Sequence, residues 1–146
     1  MLIRNAFMVA ALSVTCAAQV APAPSRAYPT FQTLVQDAKS RIREMGPEQL
    51  KKVAAAKEKY ALIDVREDNE WAAGHAAGAM HISRGVLEKG IETSVPQRNA
   101  KIILYCHSGA RSALAADTLQ KMGYSDVYSL AGGFVAYEKS GLPLEK

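Results

Sequence analysis

Cys106 stands where a protein chain would activate a thiol. It follows an apolar run at residues 102–105 and leads into a small-residue loop at residues 107–110, before a helical run that begins near Ser112. The backbone N–H groups of such a loop and of a helix N-terminus carry partial positive charge, and Arg111 adds a full one. This setting favours a thiolate over a thiol. The sequence therefore predicts that Cys106 is a nucleophile.

The residues that follow Cys106 have distinct expected roles. Gly109 allows a positive φ or a close backbone approach. Arg111 either neutralises an anionic substrate or pairs with a carboxylate that fixes the loop. Ser112 is expected to cap the following helix, with its hydroxyl assisting a sulfur anion only secondarily, and His107 is expected to face solvent and tune the local charge. The predicted substrate-binding residues are His107, Ser108, Gly109, Ala110, Arg111 and Ser112.

Outside the loop, Asp64 and Arg66 could perform acid–base chemistry and His75 could be a ligand, but supporting roles are expected for all three. Asp64 follows an apolar run and would end a strand, and Arg66 is suited to a salt bridge that fixes neighbouring loops. His75 lies among small residues and is expected to be a hydrogen-bonded structural histidine. The spacing of the Cys, His and Asp residues resembles no metal site, and no glycine-rich phosphate motif occurs. The sequence therefore predicts neither a metal nor a cofactor.

The N-terminus predicts export. Residues 6–18 are apolar or small, and at 13 residues this run is shorter than the roughly 20 that a spanning helix needs. Residues 1–18 are therefore interpreted as a signal peptide, with cleavage expected after Ala18 or, as a second choice, after Ala21. A periplasmic location follows from this. The alternative is a membrane anchor, through an uncleaved signal or a lipidated Cys16.

The composition indicates a globular protein and argues against a nucleic-acid-binding function. The chain has 146 residues, of which 49% are hydrophobic and 22% charged, values that are ordinary for a globular protein. The net charge of +4 is spread along the chain without an aromatic-rich basic patch, so a nucleic-acid partner is not expected. Removal of Cys16 with the signal would leave Cys106 as the single cysteine of the mature chain. An internal disulfide is then excluded, and no stable membrane association is expected after cleavage.

Apolar runs alternate with helical patterns along the rest of the chain. Strands are expected at residues 60–64, 79–82, 101–105 and 126–130, and helices at residues 31–42, 47–57, 67–73, 85–91, 112–122 and 134–139. Residues 41–45 leave helix and strand both open. Such alternation predicts an α/β fold with a parallel sheet covered on both faces. Ligands bind at the carboxyl ends of the strands in these folds, and Cys106 follows such an end.

The expected organisation is one folded domain with an N-terminal extension. The signal peptide at residues 1–18 is followed by a small-residue, proline-containing linker at residues 19–29. Residues 30–44 are then interpreted as a helical extension, and residues 45–146 as the domain itself.

Four sequence blocks, in the same order and spacing, resemble the single-domain rhodaneses, which are sulfurtransferases. The blocks are residues 62–67, 70–79, 106–112 and 130–134, and they extend the resemblance from about residue 45 to residue 144. The chain departs from the family pattern at Ala76 and Ala77, where Ile-Pro is common, and at Tyr137, where tryptophan is usual.

The resemblance implies both a fold and a reaction. The fold would be rhodanese-like, with a central, mostly parallel sheet of about five short strands and helices on both faces. The reaction would be sulfur transfer through a persulfide on Cys106. Thiosulfate or a related molecule would be the donor, and cyanide or a thiol, including the thiol of a protein, would be the acceptor.

Loop length separates this chemistry from its alternatives. Four residues lie between Cys106 and Arg111, one fewer than in cysteine phosphatases of this kind, so the loop should fit a single added sulfur atom better than a phosphate. A phosphatase or arsenate reductase is thus a remote alternative. The main alternative is a sulfur carrier that passes persulfide sulfur between partner proteins with little thiosulfate turnover.

Overall fold

A computed structural model describes residues 28–146. The predicted signal peptide, its cleavage sites and Cys16 lie outside the described residues. The helices are α1 (Phe31–Lys39), α2 (Pro47–Ala55), α3 (Asp68–Ala73), α4 (Leu87–Ser94), α5 (Ala110–Lys121) and α6 (Gly133–Lys139). The strands are β1 (Arg43–Met45), β2 (Ala61–Asp64), β3 (His75–Ala76), β4 (Met80–His81), β5 (Lys101–Tyr105), β6 (Asp126–Leu130) and β7 (Leu144–Glu145). A short 3-10 helix, Arg84–Val86, leads into α4.

The main sheet has five strands in the order β1-β6-β5-β2-β4. All four pairings are parallel, and the register places Leu104 of β5 between Ile63 of β2 and Ser129 of β6. A separate antiparallel pair joins β3 to β7 near the C-terminus. The α/β prediction with a parallel sheet of about five short strands is confirmed.

The central strand β5 is buried on both of its faces. Ile102 and Leu104 pack in one core cluster with residues of α4 and α5. Ile103 and Tyr105 pack in the other cluster with residues of α2 and α6. Since side chains alternate between the two faces of a strand, a strand covered by helices on both sides has to be apolar throughout. This explains the unbroken apolar run before Cys106.

The segment interpreted as an N-terminal extension is packed into the same body. The side chain of Thr30 caps α1, whose residues Val35 and Ala38 are buried, and α1 packs against α5. Residues 41–45, left open by the sequence, include strand β1, which pairs Met45 with Leu130 at the edge of the main sheet. This strand runs across the predicted boundary between residues 44 and 45.

The structure corrects the start of the helix after the loop. The sequence predicts that Ser112 begins and caps it, whereas α5 begins at Ala110 and Gly109 occupies the cap position with φ +102°. A glycine adopts this left-handed conformation readily, so the helix can begin two residues earlier. Ser112 therefore lies inside the first turn.

None of the helices in the part of the chain from residue 28 onward is long and apolar enough to cross a membrane.

Candidate active site

Cys106 lies at the carboxyl edge of the parallel sheet, directly after the central strand β5. The neighbouring strands β2 and β6 end at the same edge, because all three run in the same direction. The carbonyl oxygen of Tyr105, the last residue of β5, accepts a hydrogen bond from the backbone N–H of Val65 at 2.9 Å. The position of Cys106 is thus fixed by the centre of the sheet.

The Cys106 side chain is buried, with 1% of the residue exposed, and it accepts hydrogen bonds from the loop that follows it. The backbone N–H of Gly109 lies 3.2 Å from Sγ, and the Ser112 hydroxyl lies 3.7 Å from it. Within α5 the first backbone bond runs from Ala113 N–H to Gly109 O, so the N–H groups of residues 110–112 have no partner in their own helix. Hydrogen bonds and a helix N-terminus both favour the charged form of a buried thiol.

Ser112 acts from inside the helix and does not act as its cap. Its hydroxyl lies 3.2 Å from the carbonyl oxygen of Gly109 and 2.8 Å from the hydroxyl of Ser129 in β6. Because α5 starts at Ala110, the Ser112 side chain is directed back towards the loop and Cys106. The Ser112 hydroxyl thus lies 3.7 Å from Sγ, and its assistance to a sulfur anion stays a prediction.

The start of α6 fixes the backbone of the active-site loop through two hydrogen bonds. The N–H groups of Phe134 and Val135 donate to the carbonyl oxygens of Cys106 (2.7 Å) and His107 (3.2 Å). Gly133 has φ +58°, and a Cβ at this position would collide with the carbonyl oxygen of Cys106. These bonds fix the backbone of the loop, whose Gly109 N–H donates to Sγ.

Arg111 forms a two-point ion pair with Glu70 of α3. Its Nη1 and Nη2 atoms lie 2.7 Å and 2.8 Å from the two carboxylate oxygens. The Arg111 hydrogen bonds lower the pKa of Glu70 to about 2, and the pairing raises the pKa of Arg111. The carboxylate partner that the sequence leaves open is thus Glu70, a site residue that sequence reasoning missed. Its signal would have been its place at the start of the block at residues 70–79, which resembles the family pattern.

An open pocket of about 440 Å³ leads to Cys106. Its lining residues are Phe31, Glu70, Cys106, His107, Ser108, Ala110 and Arg111. Most of the predicted loop residues therefore face the same space, while Gly109 and Ser112 contact the sulfur from behind. Phe31 of α1 was not predicted to belong to the site. It is 60% exposed and gives the pocket an apolar wall from outside the predicted domain.

Asp64 and Arg66 form a buried ion pair behind the loop. The Arg66 Nη2 atom lies 2.6 Å from an Asp64 carboxylate oxygen and also donates to the carbonyl oxygen of Gly74 at 2.8 Å. The guanidinium lies 4.0 Å above the centre of the Phe134 ring. These contacts connect the end of β2 to α3 and α6. Neither residue lines the pocket of Cys106, and their supporting role stays a prediction.

His75 likewise lies away from the pocket. Its ring stacks on Trp71 with centroids 3.4 Å apart, and its Nδ1 atom lies 3.2 Å from the Trp71 carbonyl oxygen. His75 is thus hydrogen-bonded, and its structural role stays a prediction. Within residues 28–146, no three His, Cys, Asp or Glu side chains are grouped so that they could hold a metal ion.

The sequence matches known proteins along most of the described chain. The family model of the rhodanese-like domain matches residues 46–140. The chain is 32% identical over 103 residues to a sulfurtransferase of Allochromatium vinosum, covering 70% of this chain and 94% of that protein. It is also 36% identical over 97 residues to the probable adenylyltransferase/sulfurtransferase MoeZ of Mycobacterium tuberculosis, covering 66% of this chain. That match spans only 25% of the MoeZ protein.

Solved structures share the fold but carry different descriptions. A protein of unknown function from Rhodopseudomonas palustris, described as a possible tyrosine phosphatase, has a TM-score of 0.74 and 29% identity, covering 85% of this chain and 100% of that chain. A thiosulfate sulfurtransferase from Pseudomonas aeruginosa has a TM-score of 0.67 and 30% identity, covering 72% of this chain and 20% of that chain. The chemistry has to be argued from the site itself, because one fold serves several reactions.

Proposed function

Because the chain belongs to the rhodanese-like domain family, we propose that it moves sulfane sulfur from thiosulfate or a related donor to a thiophilic acceptor through a persulfide on Cys106. Sulfur transfer in general is supported by relatives that are named sulfurtransferases. The observation that carries the proposal is the surroundings of Cys106 Sγ. It accepts a hydrogen bond from Gly109 N–H and lies 3.7 Å from the Ser112 hydroxyl, at the base of an open pocket.

In the first step, the Cys106 thiolate attacks the outer sulfur of thiosulfate. A sulfur–sulfur bond forms to Cys106, the sulfur–sulfur bond of thiosulfate breaks, and sulfite leaves with the bonding electron pair. The N–H groups at the start of α5 are available to the transferred sulfur, because they have no partner within the helix. Fixed donors of this kind stabilise a developing anion without reorganisation.

In the second step, cyanide or a thiolate attacks the outer sulfur of the persulfide. The new bond forms at that sulfur, and the Cys106 thiolate is released as the leaving group. The product is thiocyanate with cyanide and a persulfide with a thiol. Such a sequence predicts ping-pong kinetics.

Steady-state turnover of thiosulfate with cyanide tests the proposal. We expect measurable thiocyanate production by the parent protein and none by Cys106→Ser, since an alcohol is not activated by this loop. Ser94→Ala is the control, because Ser94 lies at the end of α4 and does not line the pocket of Cys106. Turnover that survives in Cys106→Ser would overturn the proposal.

One observation favours a second function, that of a sulfur carrier between proteins. Arg111 is the arginine of the active-site loop, and both of its terminal nitrogens are engaged by Glu70. A paired guanidinium attracts a dianion such as thiosulfate less than a free one. A persulfide carried on a partner protein needs no such attraction.

Mass measurement distinguishes the carrier from the enzyme. The protein is mixed with thiosulfate or with a small persulfide donor, and the mass of the intact chain is followed. One added sulfur from the persulfide donor, with no thiocyanate from thiosulfate, supports the carrier. Fast turnover of thiosulfate contradicts it.

Phosphate-ester hydrolysis is the control reaction for both proposals. The loop has four residues between Cys106 and Arg111, and its cysteine is almost fully covered. We therefore expect no hydrolysis of p-nitrophenyl phosphate above the level of Cys106→Ser. Hydrolysis that depends on Cys106 would favour the phosphatase alternative.

We also propose that the protein is exported to the periplasm, on the basis of the apolar run at residues 6–18. N-terminal sequencing of the protein from fractionated cells should find a chain that begins at residue 19 or residue 22. An intact Met1 in the cytoplasmic fraction would overturn export. A lipid-sized mass increase on Cys16 would support the membrane-anchored alternative.

A further inference from the structure

Two fully buried hydroxyl groups lie next to each other behind the candidate nucleophile. Ser112 belongs to the first turn of α5 and Ser129 to strand β6, and both residues are 0% exposed. Their Oγ atoms are 2.8 Å apart. Ser112 is also within reach of two further acceptors, Gly109 O at 3.2 Å and Cys106 Sγ at 3.7 Å. Within residues 28–146, Ser112 is the hydrogen-bond partner of the Ser129 hydroxyl.

The direction of the hydrogen bond between the two serines follows from counting hydrogens. Each hydroxyl has one hydrogen to donate. If Ser112 donated to Ser129, the Ser129 hydrogen would be left without an acceptor in a buried position, which is unfavourable. If Ser129 donates to Ser112, both hydrogens are used, because Ser112 can donate to Gly109 O or to Cys106 Sγ. The second arrangement satisfies every donor.

We propose that Ser129 is a positioning residue for the reaction of Cys106, which acts through Ser112. By donating to Ser112 Oγ, it keeps the Ser112 hydrogen free to turn from the Gly109 carbonyl to Sγ when the sulfur becomes an anion. It also fixes the Ser112 oxygen in place and polarises its O–H bond, since hydrogen bonds in a chain strengthen one another. The inference rests on the proposed role of Cys106 as the reacting thiol.

The switch of the Ser112 hydrogen is local. Gly109 O also accepts a backbone hydrogen bond from Ala113 N–H at 3.1 Å. The carbonyl therefore keeps a partner when the hydroxyl turns away, and the thiolate gains a donor. The neutral thiol has no comparable need for it. The Ser129–Ser112 pair thus favours the charged form of the sulfur.

The test is the pH dependence of Cys106 alkylation by iodoacetamide, which reports the thiolate and requires no sulfur donor. We expect Ser112→Ala to move the midpoint of the profile upward and to lower the rate at neutral pH about tenfold. Ser129→Ala should give a smaller shift in the same direction, with a rate loss of about threefold. The double variant should behave like Ser112→Ala.

The double variant separates positioning from a general packing effect. A residue that merely supports β6 would change the profile equally whether or not the Ser112 hydroxyl is present. An equal shift in both backgrounds, or no shift in Ser129→Ala, would overturn the proposal. Because alkylation is measured without turnover, these outcomes stay readable even if thiosulfate is not a substrate.

A second pair of variants covers the case in which Ser129→Ala does not fold. Ser129→Thr and Ser129→Val have nearly the same shape, suit a β-strand and differ in the hydroxyl. We expect the Thr variant to have the lower alkylation midpoint of the two. Identical midpoints would count against a role for the hydroxyl.

Discussion

Arg111 reaches the pocket with its charge already paired. The two hydrogen bonds to Glu70 hold the planar guanidinium in one orientation beside the loop. A two-point pair of this kind fixes both position and direction. The orientation of the Arg111 guanidinium beside the loop is therefore fixed by the protein itself.

Replacement of Glu70 by Gln should lower stability in a pH-dependent way. The pKa of Glu70 is lowered from 4.5 to about 2 in the folded state, so its ionised form stabilises the fold above pH 4.5, and this contribution is lost as the pH falls towards 2. The pair is partly exposed, and solvent screening reduces the effect to about 1–2 kcal/mol. Urea unfolding at a series of pH values should show a parent–variant difference that is greatest at neutral pH and disappears near pH 2.

Glu88→Gln is the control for the Glu70 variant. Glu88 pairs with Arg84 at 2.8 Å on the surface of α4, where its side chain is more exposed than that of Glu70. Exposed pairs contribute little, so a change within about 0.5 kcal/mol is expected. An equal loss of stability in both variants would show that the Glu70–Arg111 pair contributes no more than an ordinary surface ion pair.

At the level of elements, the turn between β6 and α6 supports the active-site loop through backbone hydrogen bonds. It brings the first N–H groups of α6 to the carbonyls of Cys106 and His107. The close approach is allowed because Gly133 has no side chain. A turn that lies more than 20 residues after Cys106 in the sequence thus helps to fix the conformation of the active-site loop.

We expect Gly133→Ala to reduce the activity of Cys106 at least tenfold. The added methyl group would press on the Cys106 carbonyl and push the loop out of position. Gly141→Ala is the matched control, since Gly141 also has positive φ (+74°) but an added Cβ there would meet no atom within 4 Å. Thermal unfolding should show a loss of stability in both variants that is larger in Gly133→Ala because of the collision, while alkylation of Cys106 should slow only in Gly133→Ala.

Helix α1 contributes one side chain, Phe31, to the pocket. The helix itself is held in place because it packs against α5. Val35 and Ala38 are buried, while Phe31 at the start of the helix stays exposed beside the loop. The pocket volume of about 440 Å³ lies in the range of small-molecule sites, about 300–1,000 Å³. This is far more space than cyanide needs, and its apolar wall suits a larger acceptor.

Phe31→Ala should therefore weaken the use of an apolar thiol more than the use of cyanide. We expect the KM for an aromatic thiol acceptor to rise about fivefold and the KM for cyanide to stay unchanged. Leu34→Ala is the control, because Leu34 is exposed on the same helix and does not line the pocket. Equal effects on both acceptors would exclude a role for Phe31 in acceptor choice.

The sequence predicts an element correctly where nearby residues alone define its two ends. Strands at residues 101–105 and 126–130 have the predicted bounds, because sharp apolar runs define them. The predicted start of α5 is wrong, because the conformation of Gly109 depends on the loop around it. The pairing of Arg111 with Glu70 and the place of Phe31 join parts of the chain that are distant in sequence. Such contacts exist only once the fold is formed.

For the molecule as a whole, the Asp64–Arg66 pair is the polar centre of one side of the sheet. The guanidinium binds the carboxylate at the end of β2, the carbonyl at the end of α3 and the ring face of Phe134 in α6. The Asp64 side chain is 0% exposed. Removal of one partner would leave a buried charge without compensation.

Asp64→Asn should consequently destabilise the whole protein by about 3–5 kcal/mol. Equilibrium denaturation should show this as a lower midpoint of a single transition. Asp126→Asn is the control, because Asp126 pairs with Arg43 at 3.0 Å in a more exposed position, and a change below about 1 kcal/mol is expected. A similar loss in both variants would mean that burial adds nothing to the Asp64–Arg66 pair.

The near-complete burial of Cys106 has a consequence for regiochemistry. A persulfide has two electrophilic sulfurs, and attack at the inner one would yield a mixed disulfide and hydrosulfide instead of transferring sulfur. With Cys106 only 1% exposed and its Sγ contacted by Gly109 and Ser112, we expect an incoming thiolate to reach the outer sulfur of the proposed persulfide, in line with the bond it must break. If the proposed persulfide forms, the fold would thereby protect Cys106 from a mixed disulfide with the acceptor thiol.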